Sequence, residues 1–360
     1  MAAGAAPFDA TARRWAVLER ARAHPIRLAA LAALALAATL VLGVGLGSVA
    51  IAPVDVLGIL GRRLLGLPIV ATWPPSAETI VIDLRLPRVL TAVLVGGGLA
   101  VAGATFQGLL RNPLADPYVL GTASGAALGA AIAVAIPIRV AILEFGLVQV
   151  LAFVGALAAI WLVYRLSRSG PLGPLTGLLL TGYAVGSLLA AGLSMAMYLS
   201  GSSLRQIFSY LLGGLDGSSW IRLAGTALPI VLGSAAILLR ARSLNALLLG
   251  EETATHLGID VGRERAVLLG LASLVTAAAV SVSGLIGFVG LVVPHLVRLV
   301  TGPSARRVLP LSAIGGAILL VVADAVARIL GEIPVGVVTA VIGAPFFLVI
   351  LRRARTGYEL

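Results

Sequence analysis

Few residues in this chain are able to do chemistry, and they are scattered. There is no cysteine, which removes thiol nucleophiles, thiolate metal sites and disulfides. The three histidines, His24, His256 and His295, have no second ligand at a metal-binding spacing such as H-x-x-x-H. All 26 basic residues are arginine, so no Gly-Lys-Ser/Thr loop exists to cradle a nucleotide phosphate. The chain is therefore not expected to be an enzyme or to carry a metal or cofactor. Any ATP and Mg must be bound by another polypeptide.

What charge there is gathers in three segments. The densest, GEETATHLGIDVGRER at 250–265, puts six charged residues into sixteen positions of a chain that is 11% charged. Its first part, Leu249, Gly250, Glu251, Glu252, Ala254, His256, Leu257 and Gly258, reads as a short helix. The acids suit the positive end of the helix dipole, and Gly258 suits a C-terminal cap. Small residues at Ala254 and Gly258 leave a face able to lie in another protein's groove; the same pattern also suits an ordinary solvated loop. The second segment is IDLRLPR at 82–88, where Arg85 and Arg88 flank a proline that can open a helix. Their planar forks suit a carboxylate on an external acidic partner, or membrane headgroups with Asp83 as local partner. The third, QGLLRNPLADP at 107–117, is a tight turn in which two prolines force a break and Arg111 can pair with Asp116.

The elements that must position these segments are apolar. Hydrophobic residues make up 59% of the chain and the mean hydropathy is +1.08, far from a soluble domain. The expected fold is all-α, a polytopic membrane protein with about ten transmembrane helices. The spans are placed near 28–49, 87–110, 114–137, 145–166, 172–199, 220–239, 266–283, 285–301, 308–330 and 334–351. The domain plan is a cytoplasmic tail at 1–27, a transmembrane unit at 28–353 carrying the 249–259 helix, and a cytoplasmic tail at 354–360. With both termini inside, 18 of the 26 arginines fall in cytoplasmic segments and 8 outside, as the positive-inside bias requires. The same bias accounts for the net charge of +11, so nucleic acid is not an expected partner, whereas membrane lipid is. The first apolar run starts only near Leu28, too late for a cleavable signal.

Inside the spans, glycine recurs at 96–98, Gly125 and Gly129, Gly182 and Gly186, and Gly284, Gly287 and Gly290, marking close helix packing. Between spans five and six, Leu204, Ile207, Phe208, Leu211 and Leu212 form one helical face, which predicts a short amphipathic interfacial helix ending at Gly213-Gly214. Span five offers Thr181, Ser187, Ser194, Met197 and Tyr198 as candidate lining of a translocation path. Ionisable groups are nearly absent from span interiors, Asp324 with Arg328 one turn on being the closest exception, and this ranks an ion-coupled secondary transporter second.

Taken together, RLPRVL at 85–90, NPLADPYVLGTASGAALG at 112–129, LGEETATHLGI at 249–259, GLIGFVGLVVPHLVRLVTG at 284–302 and ADAVARILGEIPVGVVTAVIGAPFFL at 323–348 resemble the permease family of ABC importers for iron-siderophore complexes, haem and vitamin B12. The resemblance runs in order from about residue 85 to 353. It implies a homodimer in the bacterial cytoplasmic (inner) membrane, with the substrate path along its two-fold axis, two separate ATPase subunits below and an extracytoplasmic substrate-binding protein above. It further implies a pseudo-repeat relating spans two to five with spans seven to ten, a coupling role for 249–259, and docking of the binding protein on Arg85, Arg88 and Arg328. Iron chelates, siderophore or haem, are the expected cargo. The LRQ at 204–206 and GG at 213–214 also resemble vitamin B12 permeases and keep cobalamin as the alternative. One departure is Ser304-Ala305-Arg306, where the family usually has Asp-His-Arg.

Overall fold

The computed structural model describes residues 25–136, 141–142, 145–167 and 174–355. Most of the two tails therefore lies outside the described residues. In chain order the helices are α1 (Pro25–Gly45), α2 (Pro53–Leu65), α3 (Pro75–Thr79), α4 (Leu86–Leu109), α5 (Thr122–Ala135), α6 (Leu147–Ser167), α7 (Pro174–Leu199), α8 (Leu204–Leu212), α9 (Trp220–Leu239), α10 (Ala241–Leu249), α11 (Glu251–His256), α12 (Val261–Ser283), α13 (Val289–Thr301), α14 (Ala305–Ile329) and α15 (Val335–Arg355). A two-residue hairpin, Ala141–Ile142 against Phe145–Gly146, precedes α6. Among the described residues seven helices are long and apolar enough to cross a membrane, and three shorter apolar helices, Thr122–Ala135, Val289–Thr301 and Val335–Val349, fall where three further spans were expected.

Helix α4 is the hub, with nearly every residue buried, and it packs on α14, α12, α13 and α9. The pairings repeat. Helix α4 meets α13 and α14 as α12 meets α5 and α6, while α5 meets α6 and α7 as α13 meets α14 and α15. The expected relation between spans two to five and seven to ten is therefore visible in the packing.

Two expected boundaries change for physical reasons. Span two does not open at Pro87. A π-helical turn, Ile80–Arg85, joins α3 to α4, so the helix runs from Pro75 to Leu109. The wide turn, with Leu86 N–H donating to Val81 O, absorbs the register shift that a proline lacking an N–H would otherwise force as a break. Span three does not begin at 114 either, because residues 110–121 fold as successive turns. Asn112 and Asp116 side chains there accept from the backbone N–H of Leu114 (2.9 Å) and Tyr118 (2.8 Å), local bonds that compete with helix formation.

The amphipathic helix α8 is present and stops at Gly213, which has φ 68°. Its expected apolar face is only partly covered: Ile207 is buried, while Phe208 and Leu212 are exposed. Helix α2, in the segment between the first two expected spans, is an amphipathic helix with Val56 and Ile59 turned inward. Pro53 at its start, Asp55 in its first turn and the 56/59 spacing were the available signals.

Glycine sets the closest approaches. A Cβ on Gly316 would lie 2.2 Å from Gly96 O, and one on Gly96 would lie 2.3 Å from Gly316 O, so α4 and α14 touch backbone to backbone. Gly125 and Gly155 stand in the same relation between α5 and α6. Where lipid supplies no hydrophobic drive for helix association, such contact carries the packing. Gly316→Ala is expected to lower stability by about 1–3 kcal/mol, because backbone must move to admit the methyl. Gly270→Ala, where nothing lies within 4 Å of the added carbon, is expected to be neutral or stabilising. Thermal unfolding of the two variants in detergent checks the contrast.

Candidate functional site

The functional candidates lie at two ends of the bundle. Helix α14 links them, since Ala305 at its start bonds to α10 and Arg328 near its finish bonds to the end of α1. Its 25 residues put the ends about 37 Å apart, enough to span a bilayer.

At the first end, α11 protrudes. Every residue of Glu251–His256 is exposed except Ala254, which is fully buried. Leu249 and Leu257, which bracket the helix, are 69% and 62% exposed. Gly250 turns the chain sharply out of α10 with φ 126°. Gly258, with φ 78°, closes the other side: its N–H donates to Thr255 O (2.9 Å) and that of Ile259 to Ala254 O (3.0 Å), the bond pair of a left-handed helix cap. Short as it is, α11 is fixed to the bundle. Arg265 pairs with Glu251 across the α11–α12 junction at 2.5 Å, and Arg240 pairs with Glu264. Arg111 Nε donates to Leu247 O (3.0 Å), and Asn245 Oδ1 accepts the Ala305 N–H (2.7 Å). Arg111 was expected to pair with Asp116. It instead adopts φ 48° and reaches α10, so the 110–121 turn braces α10. Residues 304–306 likewise serve locally, Ser304 O accepting the Arg307 and Val308 N–H groups at the start of α14.

At the opposite end the three arginines expected at an open rim are largely covered. Arg85 is 8% exposed and donates Nη1 to Val44 O (3.0 Å) and Gly45 O (2.9 Å), with Nη2 on Val49 O. Arg328, 4% exposed, donates to Leu46 O (2.7 Å) and Gly43 O (2.6 Å). These guanidiniums satisfy the carbonyls that the end of α1 leaves without helical partners. Arg88 Nε donates to Asp324 Oδ1 at 2.8 Å, and Asp324 is completely buried. The Arg328 Nε to Asp324 Oδ2 distance is 3.0 Å, but the groups are poorly aligned, so this contact is Coulombic more than a hydrogen bond. The far edge of Arg88 meets Asp216 Oδ1 through Nη1 at 2.9 Å, and the Asp216 side chain is 63% exposed. Sequence reading did not single out Asp216; its only signal was an acid standing alone in the glycine-rich GGLDG.

Between these ends, the candidate path residues separate. At 100° per residue Ser187, Ser194 and Tyr198 share one stripe of α7 and are exposed, Met197 lies at its edge, and Thr181 falls on a different face. Tyr183, 77% exposed, joins the stripe one turn before Ser187 and was missed. An open apolar groove of about 710 Å³ lies between α8 and α15, lined by Leu212, Leu285, Phe288, Val337 and Val341.

This architecture is shared with known proteins. The description "FecCD transport family" matches residues 34–353. The chain belongs to the FecCD transport family. Similar curated relatives include the cobalamin import system permease protein BtuC of Halobacterium salinarum, 46% identical over 280 residues covering 78% of this chain and 75% of that one. Another is the hemin transport system permease protein HmuU of Yersinia pestis, 42% identical with 83% and 92% covered. A solved structure described as an inward-facing conformation of a metal-chelate type ABC transporter superposes with a TM-score of 0.79 at 30% identity, covering 91% of this chain and 99% of that one. As a FecCD member, this chain is a multi-pass transport permease.

In this FecCD chain, Asp324→Asn is expected to cost about 3–5 kcal/mol by leaving buried arginines uncompensated. Asp216→Asn, at an exposed pair, should cost below about 1 kcal/mol. Unfolding temperatures of the purified variants test the ordering, and equal temperatures would show that Asp324 does not carry the buried arginines.

Proposed function

We propose that this chain is the homodimeric permease of a binding-protein-dependent ABC importer in the cytoplasmic membrane. The α11 end faces the cytoplasm and a separate ATPase; the arginine end faces outward to a substrate-binding protein. The observation that carries the reading is α11 itself, an exposed capped helix flanked by two exposed leucines, paired with α12 through Glu251–Arg265 and continuous with α10, which the 110–121 turn braces. A helix so held transmits displacement to the bundle as a rigid body. The positive-inside bias supports the orientation. The sequence itself offers no phosphate-binding lysine, so ATP-driven movement has to enter through such a contact.

The cargo in this reading is a bulky metal chelate, an iron-siderophore complex or haem. Two findings support it: the hemin transport relative and the structural neighbour described as metal-chelate type. Cobalamin, itself a metal chelate, is the second reading, favoured by the relative at 46% identity. The α7 stripe of Tyr183, Ser187, Ser194 and Tyr198 and the groove beside α8 and α15 are the surfaces assigned to the path and the two-fold partner. Arg85 and Arg328 serve docking indirectly, by holding the α1 end in place, while Arg88 retains an edge toward the surface.

Leu249→Asp and Leu257→Asp place charge where the ATPase would seat an apolar anchor, at a cost of about 2 kcal/mol or more in affinity. In proteoliposomes containing the permease, its ATPase and its binding protein, ATP-dependent uptake of ferric chelate, haem or cobalamin is expected to fall roughly tenfold or more. Unfolding temperature should hold, because both leucines are exposed. Uptake by the chain alone on an ion gradient would overturn the proposal.

A further inference from the structure

Arg88 is held differently from its two neighbours. Arg85 and Arg328 spend their donors on backbone carbonyls of residues 43–49 and on Asp324, and both are nearly sealed. Arg88 commits Nε inward to Asp324, while its Nη1 edge is met by the carboxylate of Asp216, a side chain that is 63% exposed. The inner bond fixes where the guanidinium sits; the outer one is made with a group at the water boundary.

The turn that carries Asp216 is itself pinned. Gly214 N–H donates to Ser283 O (2.8 Å), Gly213 O accepts from Gly336 N–H (3.3 Å), and Leu215 is buried. Ser218 Oγ donates to Leu215 O (2.7 Å), and Gly217 O accepts from Arg222 Nη1 (2.7 Å). Trp220 Nε1, at the start of α9, donates to Ile82 O in the π-helical turn that leads into α4 (3.1 Å). Backbone movement is therefore not needed to free Arg88. Rotation of one exposed aspartate side chain is enough, and an exposed ion pair costs only about 0–1 kcal/mol to open. The opened site is a guanidinium edge preoriented by a buried carboxylate, a geometry that takes a second carboxylate in a charge-assisted pair.

We infer that Asp216 is a placeholder carboxylate: it compensates Arg88 in the resting permease and is exchanged for a Glu or Asp carboxylate of the external protein when that protein docks. This rests on the importer reading above and goes beyond it, because it assigns the exchange to one side chain. Net charge at the site is unchanged by the exchange, so docking needs no new charge to be buried alone, and a partner surface without a carboxylate meets a site already filled.

The test measures affinity between the permease–ATPase complex in lipid nanodiscs and its own purified, chelate-loaded binding protein, over a series of salt concentrations. Asp216→Asn removes the competitor and is expected to tighten binding about three- to fivefold, the span an exposed pair allows, with a steeper salt dependence. Asp216→Glu should leave affinity near that of the unmodified protein. Asp83→Asn makes the same charge change on an exposed acid whose carboxylate is not paired with Arg88, and it should change affinity less than twofold. Equal tightening by Asp216→Asn and Asp83→Asn would show a general field effect and overturn the placeholder, as would no tightening by Asp216→Asn. Failure of the binding protein to bind the unmodified complex would overturn the importer reading itself, and the placeholder with it.

Discussion

One buried carboxylate governs the arginine end of this molecule. Asp324 has no exposed surface and sits on α14 between Arg88 of α4 and Arg328 of its own helix. A lone ion in such a place is prohibitively costly, so each charge requires the others. The requirement fixes α4 against α14, and through Arg328 it reaches the end of α1, whose carbonyls accept hydrogen bonds from Arg328 and Arg85. Arg88 then reaches Asp216 and brings in the turn between α8 and α9. Four parts of the chain, separated by up to 285 residues between Gly43 and Arg328, are held by one cluster.

The rest of the bundle is held by shape. Glycine pairs such as Gly96 with Gly316 bring backbones into contact, so relative sliding of α4 and α14 is opposed by atoms with no side-chain freedom to yield. A polar bridge adds to this between α4 and α13, where Arg298 donates to Gln107 and to Ala104 O, and Gln107 donates onward to Leu291 O. Packing of this kind moves as blocks, so a displacement at one end of α14 can reach the other without being lost in local bending.

The two ends are built on opposite plans. At the α11 end, charge is exposed and paired across short distances, and apolar leucines project outward from it. At the arginine end, Arg85, Arg328 and Asp324 are buried, and their cluster reaches the surface at the Arg88–Asp216 contact. The first end presents a capped helix with exposed leucines; the second is a buried charge cluster with one exposed member, Asp216.

Sequence alone determined the class of molecule. Long apolar runs without water-satisfied backbone can only be helices, and all ten expected segments contain one. The capped α11, the amphipathic α8 and the glycine-rich faces of α4 and α5 were legible because each depends on residues within about eight positions of one another, whereas the partners of those glycines were not. The unequal faces of α7 were not read, although helical periodicity separates Thr181 from Ser187 and places Tyr183 with Ser187. What tertiary structure decided is where charge ends up. Arg85, Arg88 and Arg328 looked like open rim residues because their partners are the carbonyls of 43–49, the carboxylate of Asp324 and that of Asp216. The first lie some forty residues from Arg85 and more than 280 from Arg328, and Asp324 lies more than 230 from Arg88. The helix running through Pro87 and the turns at 110–121 were hidden for the same reason: proline and asparagine state a local preference, and packing around α4 selected which preference was kept.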